Sequence, residues 1–302
     1  MNPWTPLVAA TIGWASSAVL TRTLLLRGVD ALTVVPLRMV FAITALGVVI
    51  ALTGRFGTRD LRAWRRGAIL GVVGMAIPML LMTFGLEDLP VSIGGLLIAL
   101  IPLATVGAAH FLVDGERFVA RSLPGLLLAL VGSGVLVGLG GNTIEGVGNL
   151  WRGVLLTVVG VISAGFGGAL SRRYAMEISS DELVLPQFAV AAVVLLTLTP
   201  LFGIQEVSSI GAVNWLLVAG VGVVGTTLPF TSLLIGAAIN PASRLALIGY
   251  AVPVGAVLLA VIFLGESLTI EVVVGAVLII GGVVLAEKYG KHVPAPGVAT
   301  AR

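Results

Sequence analysis

The chain has 302 residues, of which 58% are hydrophobic and only 10% charged, with a mean hydropathy of +1.14. A water-soluble domain carries about 25% charged residues, so this chain is solvated by lipid. It has no cysteine, which excludes disulfides and thiolate metal sites.

Ten apolar runs follow one another, each long enough to cross a hydrocarbon core of about 30 Å. The first, Trp4–Leu20, is followed by Thr-Arg-Thr rather than a small-residue cleavage site and reads as a retained helix; Trp14 and Ser17 share one of its faces. Leu32–Leu52 holds Arg38, the one strong charge well inside a span, about six residues or 9 Å from its outer end. Gly67–Leu86 carries Met75, Met79 and Met82, an i, i+4, i+7 stripe astride Pro78. Val91–Val113 has Ser92 near its start, Pro102 mid-span and His110 close to its inner end, and Leu123–Leu139 follows. Leu150–Leu170 places Ser163 and Phe166 at the depth of Trp14 and Ser17. After Leu183–Phe202 comes Val213–Ile235, with Thr226, Thr227, Pro229 and Phe230 where the third span has its methionines. Ala242–Leu264 carries Ser243, Tyr250 and Pro253, and Ile270–Leu285 is last. The polar tail 288–302 is expected to be disordered.

The two halves share a framework at an offset of about 151 residues. Trp64, Gly71, Gly74, Pro78 and Gly85 recur as Trp215, Gly222, Gly225, Pro229 and Gly236. Pro90, Ser92 and Pro102 recur as Pro241, Ser243 and Pro253; after a one-residue slip Glu116, Gly125 and Gly132 pair with Glu266, Gly275 and Gly282. Five spans per copy, an odd number, force the copies into the membrane in opposite senses. The expected fold is therefore an all-α membrane protein of ten transmembrane helices, built as two inverted five-helix repeats at 3–141 and 149–287. With both termini inside, thirteen Lys and Arg lie in the inner connections, including Arg55, Arg59, Arg62, Arg65 and Arg66. Only Arg22, Arg27 and Arg152 lie outside, so both termini are placed in the cytoplasm of a cell inner membrane. The high pI thus reflects topology, and nucleic acid is not expected as a partner.

Leu89-Pro90-Val91-Ser92 through Ile101-Pro102 to Gly115-Glu116-Arg117, with its second copy Asn240-Pro241-Ala242-Ser243 through Val252-Pro253 to Gly265-Glu266-Ser267, resembles the fourth-helix signature of the EamA branch of the drug/metabolite transporter superfamily. Leu37-Arg38-Met39-Val40-Phe41-Ala42 resembles its second-helix pattern. The resemblance covers about residues 3–286 and is greatest to the YddG-type aromatic amino-acid exporters. It implies ten spans, two repeats and export of small metabolites or drugs. The second copy departs from the pattern, with Gln187-Phe188 where Leu37-Arg38 is expected, so an arginine-based role is one-sided.

A charge at the depth of Arg38 costs several kcal/mol unless it is paired or faces a polar cavity. It either attracts a substrate carboxylate or steadies one end state, or else it snorkels outward to helix-end carbonyls. The Met75–Met79–Met82 stripe lines an adaptable apolar cavity or is ordinary packing. Trp14, Ser17, Ser92, Ser163, Phe166, Thr227, Phe230, Ser243 and Tyr250 complete the candidate pathway, although each serine also suits a helix–helix hydrogen bond. Pro78, Pro102, Pro229 and Pro253 are candidate hinges or static kinks. Glu116 and Glu266 sit at span ends, where capping is the simpler role.

No acidic residue occupies the middle of a span, and no P-loop, H-E-x-x-H or G-x-S-x-G occurs. A proton relay, ATP hydrolysis and hydrolase chemistry therefore have no residues to carry them, and neither cofactor nor metal is expected. One buried arginine disfavours phosphate-rich solutes. The expected function is alternating-access export of aromatic or neutral amino acids, related metabolites or lipophilic drugs. A passive pore is the alternative and a membrane-embedded enzyme the weaker one. The expected partners are the bilayer and the solute, with the chain a monomer or weak homodimer.

Overall fold

A computed structural model describes residues 2–113, 120–138, 148–202, 210–240 and 242–290. Asp114, Glu116, Pro241 and the tail beyond residue 290 lie outside them, as does the side chain of Ser243. The described residues are helical and contain no strand. In chain order the helices are α1 Trp4–Leu26, α2 Ala31–Thr53, α3 Leu61–Asp88, α4 Val91–Leu112 and α5 Leu123–Gly138. Then come α6 Leu150–Ala175, α7 Ser180–Phe202, α8 Ala212–Ile239, α9 Ala242–Leu264 and α10 Ile270–Gly290. Eight are long and apolar enough to cross a membrane, and α5 and α10 contribute the shorter apolar stretches Leu123–Leu136 and Ile270–Ala286. Leu52 and Phe111 point outward at 81% and 80% exposure, together with Leu216, Ile262 and Phe263. Lipid solvates such a surface; water does not.

Helix α1 is longer than its apolar run. Thr21 and Arg22 end the hydropathy signal, yet both are buried, and Arg22 donates from Nη1 to the carbonyls of Leu86 and Glu87. Those bonds satisfy the guanidinium and carry the helix on to Leu26. Arg22 therefore belongs to the helix rather than to the outer connection.

Breaks in regular helix surround the middle of the bundle. Helices α3 and α8 each contain a π-helical turn, at Val72–Ala76 and Val223–Thr227, immediately before Pro78 and Pro229. Proline lacks an N–H and its ring collides with the carbonyl four residues back; widening the ladder by one residue relieves that collision. Carbonyls loosened by the wider turns receive hydroxyls. Ser163 Oγ donates to Val73 O at 2.7 Å, and Thr226 Oγ1 donates to Val221 O at 2.9 Å. Helix α4 breaks at Ala99–Leu100, whose N–H groups bond the carbonyls of Leu96 and Leu97, just before Pro102. Its repeat partner Pro253 lies within an unbroken helix.

The repeats interlock with exchanged partners. Helix α3 packs on α6 and α7, and α8 packs correspondingly on α1 and α2. The pair α5–α10 shows the exchange residue by residue: Gly125 meets Gly282, and Gly132 meets Gly275. Each glycine therefore touches the repeat counterpart of the other's partner, which is the signature of an isologous two-fold contact. The same register runs these equivalent helices antiparallel.

Glu266 closes the architecture at one end. Its carboxylate accepts from the first N–H groups of α4, Val91 at 2.6 Å and Ser92 at 2.9 Å, so a loop of the second repeat caps a helix of the first. Glu266→Ala is expected to cost about 1–2 kcal/mol of stability, read as a lower melting temperature of the detergent-solubilised protein.

Candidate functional site

Between the repeats lies a cavity of about 360 Å³. Its wall comes from α1 (Trp14, Ser17, Ala18, Thr21), α2 (Arg38), α3 (Gly74, Pro78, Met79, Met82, Thr83, Leu86) and α4 (Gly95, Ile98, Ile101, Pro102). Ala164 of α6 joins them, with Gly225 and Phe230 of α8 and Ile248, Gly249, Val252, Pro253 and Ala256 of α9. Both repeats contribute, and the volume falls at the lower end of the range for small-molecule clefts.

Arg38 stays inside at 6% exposure. Its Nη2 donates to Ser17 Oγ at 3.1 Å and to Thr226 Oγ1 at 2.9 Å. Thr226 has its own proton committed to Val221 O, so its oxygen is free to accept from the cation. Arg38 Nε is buried without a hydrogen-bond partner, and among the described residues no carboxylate pairs with the guanidinium. The remainder of the wall is mostly apolar. Trp14 meets Phe230 edge-on at 5.6 Å between centroids, and Phe230 meets Phe188 likewise at 5.5 Å. The result is one cation at the side of an aromatic, thioether-lined chamber. Among the described residues no group of His, Asp and Glu is arranged to hold a metal ion.

The cavity gathers Trp14, Ser17, Arg38, Met79, Met82, Phe230, Pro78, Pro102 and Pro253 from the candidates. The others sit elsewhere. Met75 is buried beside Met39 and Phe188 in the core between α2, α3 and α7, because the π turn separates it from the face of Met79 and Met82. Ser163 and Thr227 spend their hydroxyls on Val73 O and Ala42 O. Phe166 points outward, while Ser92 is buried at the start of α4. Tyr250 packs against the core of α4, α5 and α10, and Pro229 against Gly13 of α1.

Thr227 is the candidate named in the sequence, but the neighbouring Thr226 is the residue on Arg38. Its signal in the sequence is the duplication: it stands 151 residues after Met75 and four before Phe230. An inserted π residue rotates the rest of the helix by about 100°, which an ideal helical wheel does not register. The counterpart of Arg38 also shifts by one. Gly71 abuts Gln187 O and Ala191 N, as Gly222 abuts Arg38 O and Ala42 N. The second copy therefore sets Gln187, not Phe188, opposite Arg38. The repeat counterparts of Ser17 and Thr226 are Gly167 and Met75, so the whole polar cluster is one-sided.

Ion pairs tie the repeats together at both ends of the bundle. Arg152 pairs with Glu87 at 3.1 Å and Asp88 at 3.3 Å, beside the Arg22 and Glu266 contacts. At the other end Arg55 pairs with Asp181 at 2.7 Å and Arg66 with Glu177 at 2.5 Å. The second arginine holds the exposed Glu177 carboxyl below its ordinary range.

Apolar helices long enough to cross a membrane, gathered around a cavity, fit a multi-pass membrane protein, and the family match makes it one of the transporter class. The chain belongs to the EamA-like transporter family, which matches residues 6–138 and again 151–287. Twenty-three solved chains are similar to it. One, described only as the crystal structure of a protein, aligns over 96% of this chain and 99% of its own at a TM-score of 0.63 and 22% identity, a likeness of fold. No curated protein matches the chain.

Proposed function

We propose that the protein is an alternating-access exporter of small amphipathic solutes, bound in the central cavity between two inverted five-helix repeats, 3–141 and 149–287. In this reading ten helices span the inner membrane of the cell, both termini are cytoplasmic, and the chain works as a monomer or weak homodimer. The substrates are aromatic or neutral amino acids, related metabolites or lipophilic drugs, as for the YddG-type exporters the sequence resembles.

The observation that carries the reading is the cavity itself: one buried, carboxylate-free cation in a wall drawn from both repeats. The exchanged packing supports the mechanism. If the repeats can swap conformations, the opposite opening follows at similar energy. Paired π turns at Pro78 and Pro229 supply compliance at equivalent points, and the inter-repeat ion pairs at the two ends are the contacts that would alternate.

Solute flux into proteoliposomes is expected to saturate with concentration. Flux that rises linearly without saturation favours a pore, and chemical conversion of the solute an enzyme. Thr226→Val is expected to weaken solute affinity about fivefold, the value of about 1 kcal/mol for one hydrogen bond. Thr227→Val, which removes the bonds to Ala42 O and Gly222 O and none to Arg38, is expected to leave affinity within about twofold in the same assay.

A further inference from the structure

We infer that the cavity selects organic monocarboxylates with an apolar body over zwitterions of the same skeleton. The inference rests on the reading of the cavity as the solute site, and it ranks solutes within the class already proposed.

Charge is the first observation. Among the described residues Arg38 is the one charged side chain in the cavity wall, and its Nη2 rests on two neutral hydroxyls. Its Nε is buried with no hydrogen-bond partner among the described residues. The acids at the nearer end of the bundle are engaged elsewhere. Glu87 is held by Arg152 and the N–H of Ala31, Asp88 by Arg152 and the N–H of Asn149, and Glu266 by the N–H groups of Val91 and Ser92. The wall therefore carries one uncompensated positive charge at low dielectric, and its complement is a ligand of net charge −1. A carboxylate supplies planar acceptors suited to a guanidinium edge.

The second observation concerns what an amino acid would add. An ammonium group brings three donors and a positive charge. Among the described residues the wall offers it no carboxylate, and Thr21 Oγ1, buried and unpartnered among them, is one neutral acceptor. The rings of Trp14 and Phe230 attract cations weakly, but they share the chamber with Arg38, whose like charge opposes the approach. Desolvating an ammonium there gains too little in return.

The test is calorimetric titration of the purified full-length protein with three probes on one skeleton. These are hydrocinnamate, which carries only the carboxylate, phenylalanine, which adds the ammonium, and hydrocinnamamide, which has neither charge. Hydrocinnamate is expected to bind about tenfold or more tighter than the other two, the value of about one charge-assisted hydrogen bond. In Arg38→Gln the three affinities are expected to converge, whereas Arg38→Lys keeps their order. Should Arg38→Gln fail to fold, the order in the unaltered protein decides by itself. Phenylalanine or the amide binding as tightly as hydrocinnamate overturns the inference and leaves the cavity reading standing, as does a hydrocinnamate preference that survives in folded Arg38→Gln. If none of the three binds, the cavity reading itself falls.

Discussion

Arg38→Ala is expected to lower transport by about 10- to 150-fold while leaving stability unchanged or slightly raised. The range comes from about 1.5–3 kcal/mol for a hydrogen bond to a charged group, at about 1.4 kcal/mol per tenfold. The opposite sign in stability comes from burial. Arg38 is 6% exposed, is held by neutral hydroxyls and lacks a carboxylate among the described residues, so the empty cavity bears an uncompensated desolvation cost. Removing the cation removes that cost. Proteoliposome flux and the melting temperature of the solubilised protein check the two halves separately. A purely structural arginine would lose stability with flux, so the divergence between the readouts is what identifies a solute-binding role.

Gly125→Leu is expected to prevent α5 from pairing with α10. A Cβ at Gly125 would lie 2.5 Å from Gly282 O and 2.8 Å from the Cα of Ala286, and neither is a side chain that can turn away. The helices must separate, which costs about 3 kcal/mol or more and uncovers the small-residue seam. Gly134 has nothing within 4 Å of its Cβ position, so Gly134→Leu is expected to leave the fold intact. Yield of monodisperse protein on size-exclusion chromatography separates the two variants. The contrast matters because both residues look alike in a glycine-rich sequence, and only the register against α10 distinguishes them.

The helices and their duplication are legible because hydropathy and proline–glycine spacing are properties of the chain itself. Helix ends are less so: Arg22 looks like a loop residue until its carbonyl partners at Leu86 and Glu87 are seen. The cavity is legible in part. Trp14, Ser17, Arg38, Met79 and Phe230 carry size, charge or chemistry uncommon within lipid, and they stand out on that account. Met75 escapes a helical wheel because the π turn changes the helical phase beside Pro78. A proline announces disturbance without saying whether the helix will kink, break as before Pro102, or widen. The wall residues from α4 and α9, such as Ile98, Ile101 and Val252, are ordinary apolar side chains that only the tertiary fold assigns to the chamber. Gln187 as the counterpart of Arg38 emerges from glycine contacts, because α2 and α7 slip by one residue within the repeat.

The central claim is that a cavity shared by two exchanging repeats carries solute across in alternation. Counterflow tests it most directly: proteoliposomes loaded with unlabelled solute are diluted into a trace of the same solute in labelled form, with phenylalanine and hydrocinnamate tried in turn. Transient accumulation of label above its equilibrium level is expected, and its absence in Arg38→Ala, because a carrier returns loaded. Label that only approaches equilibrium, at a rate indifferent to the internal solute, would contradict the claim.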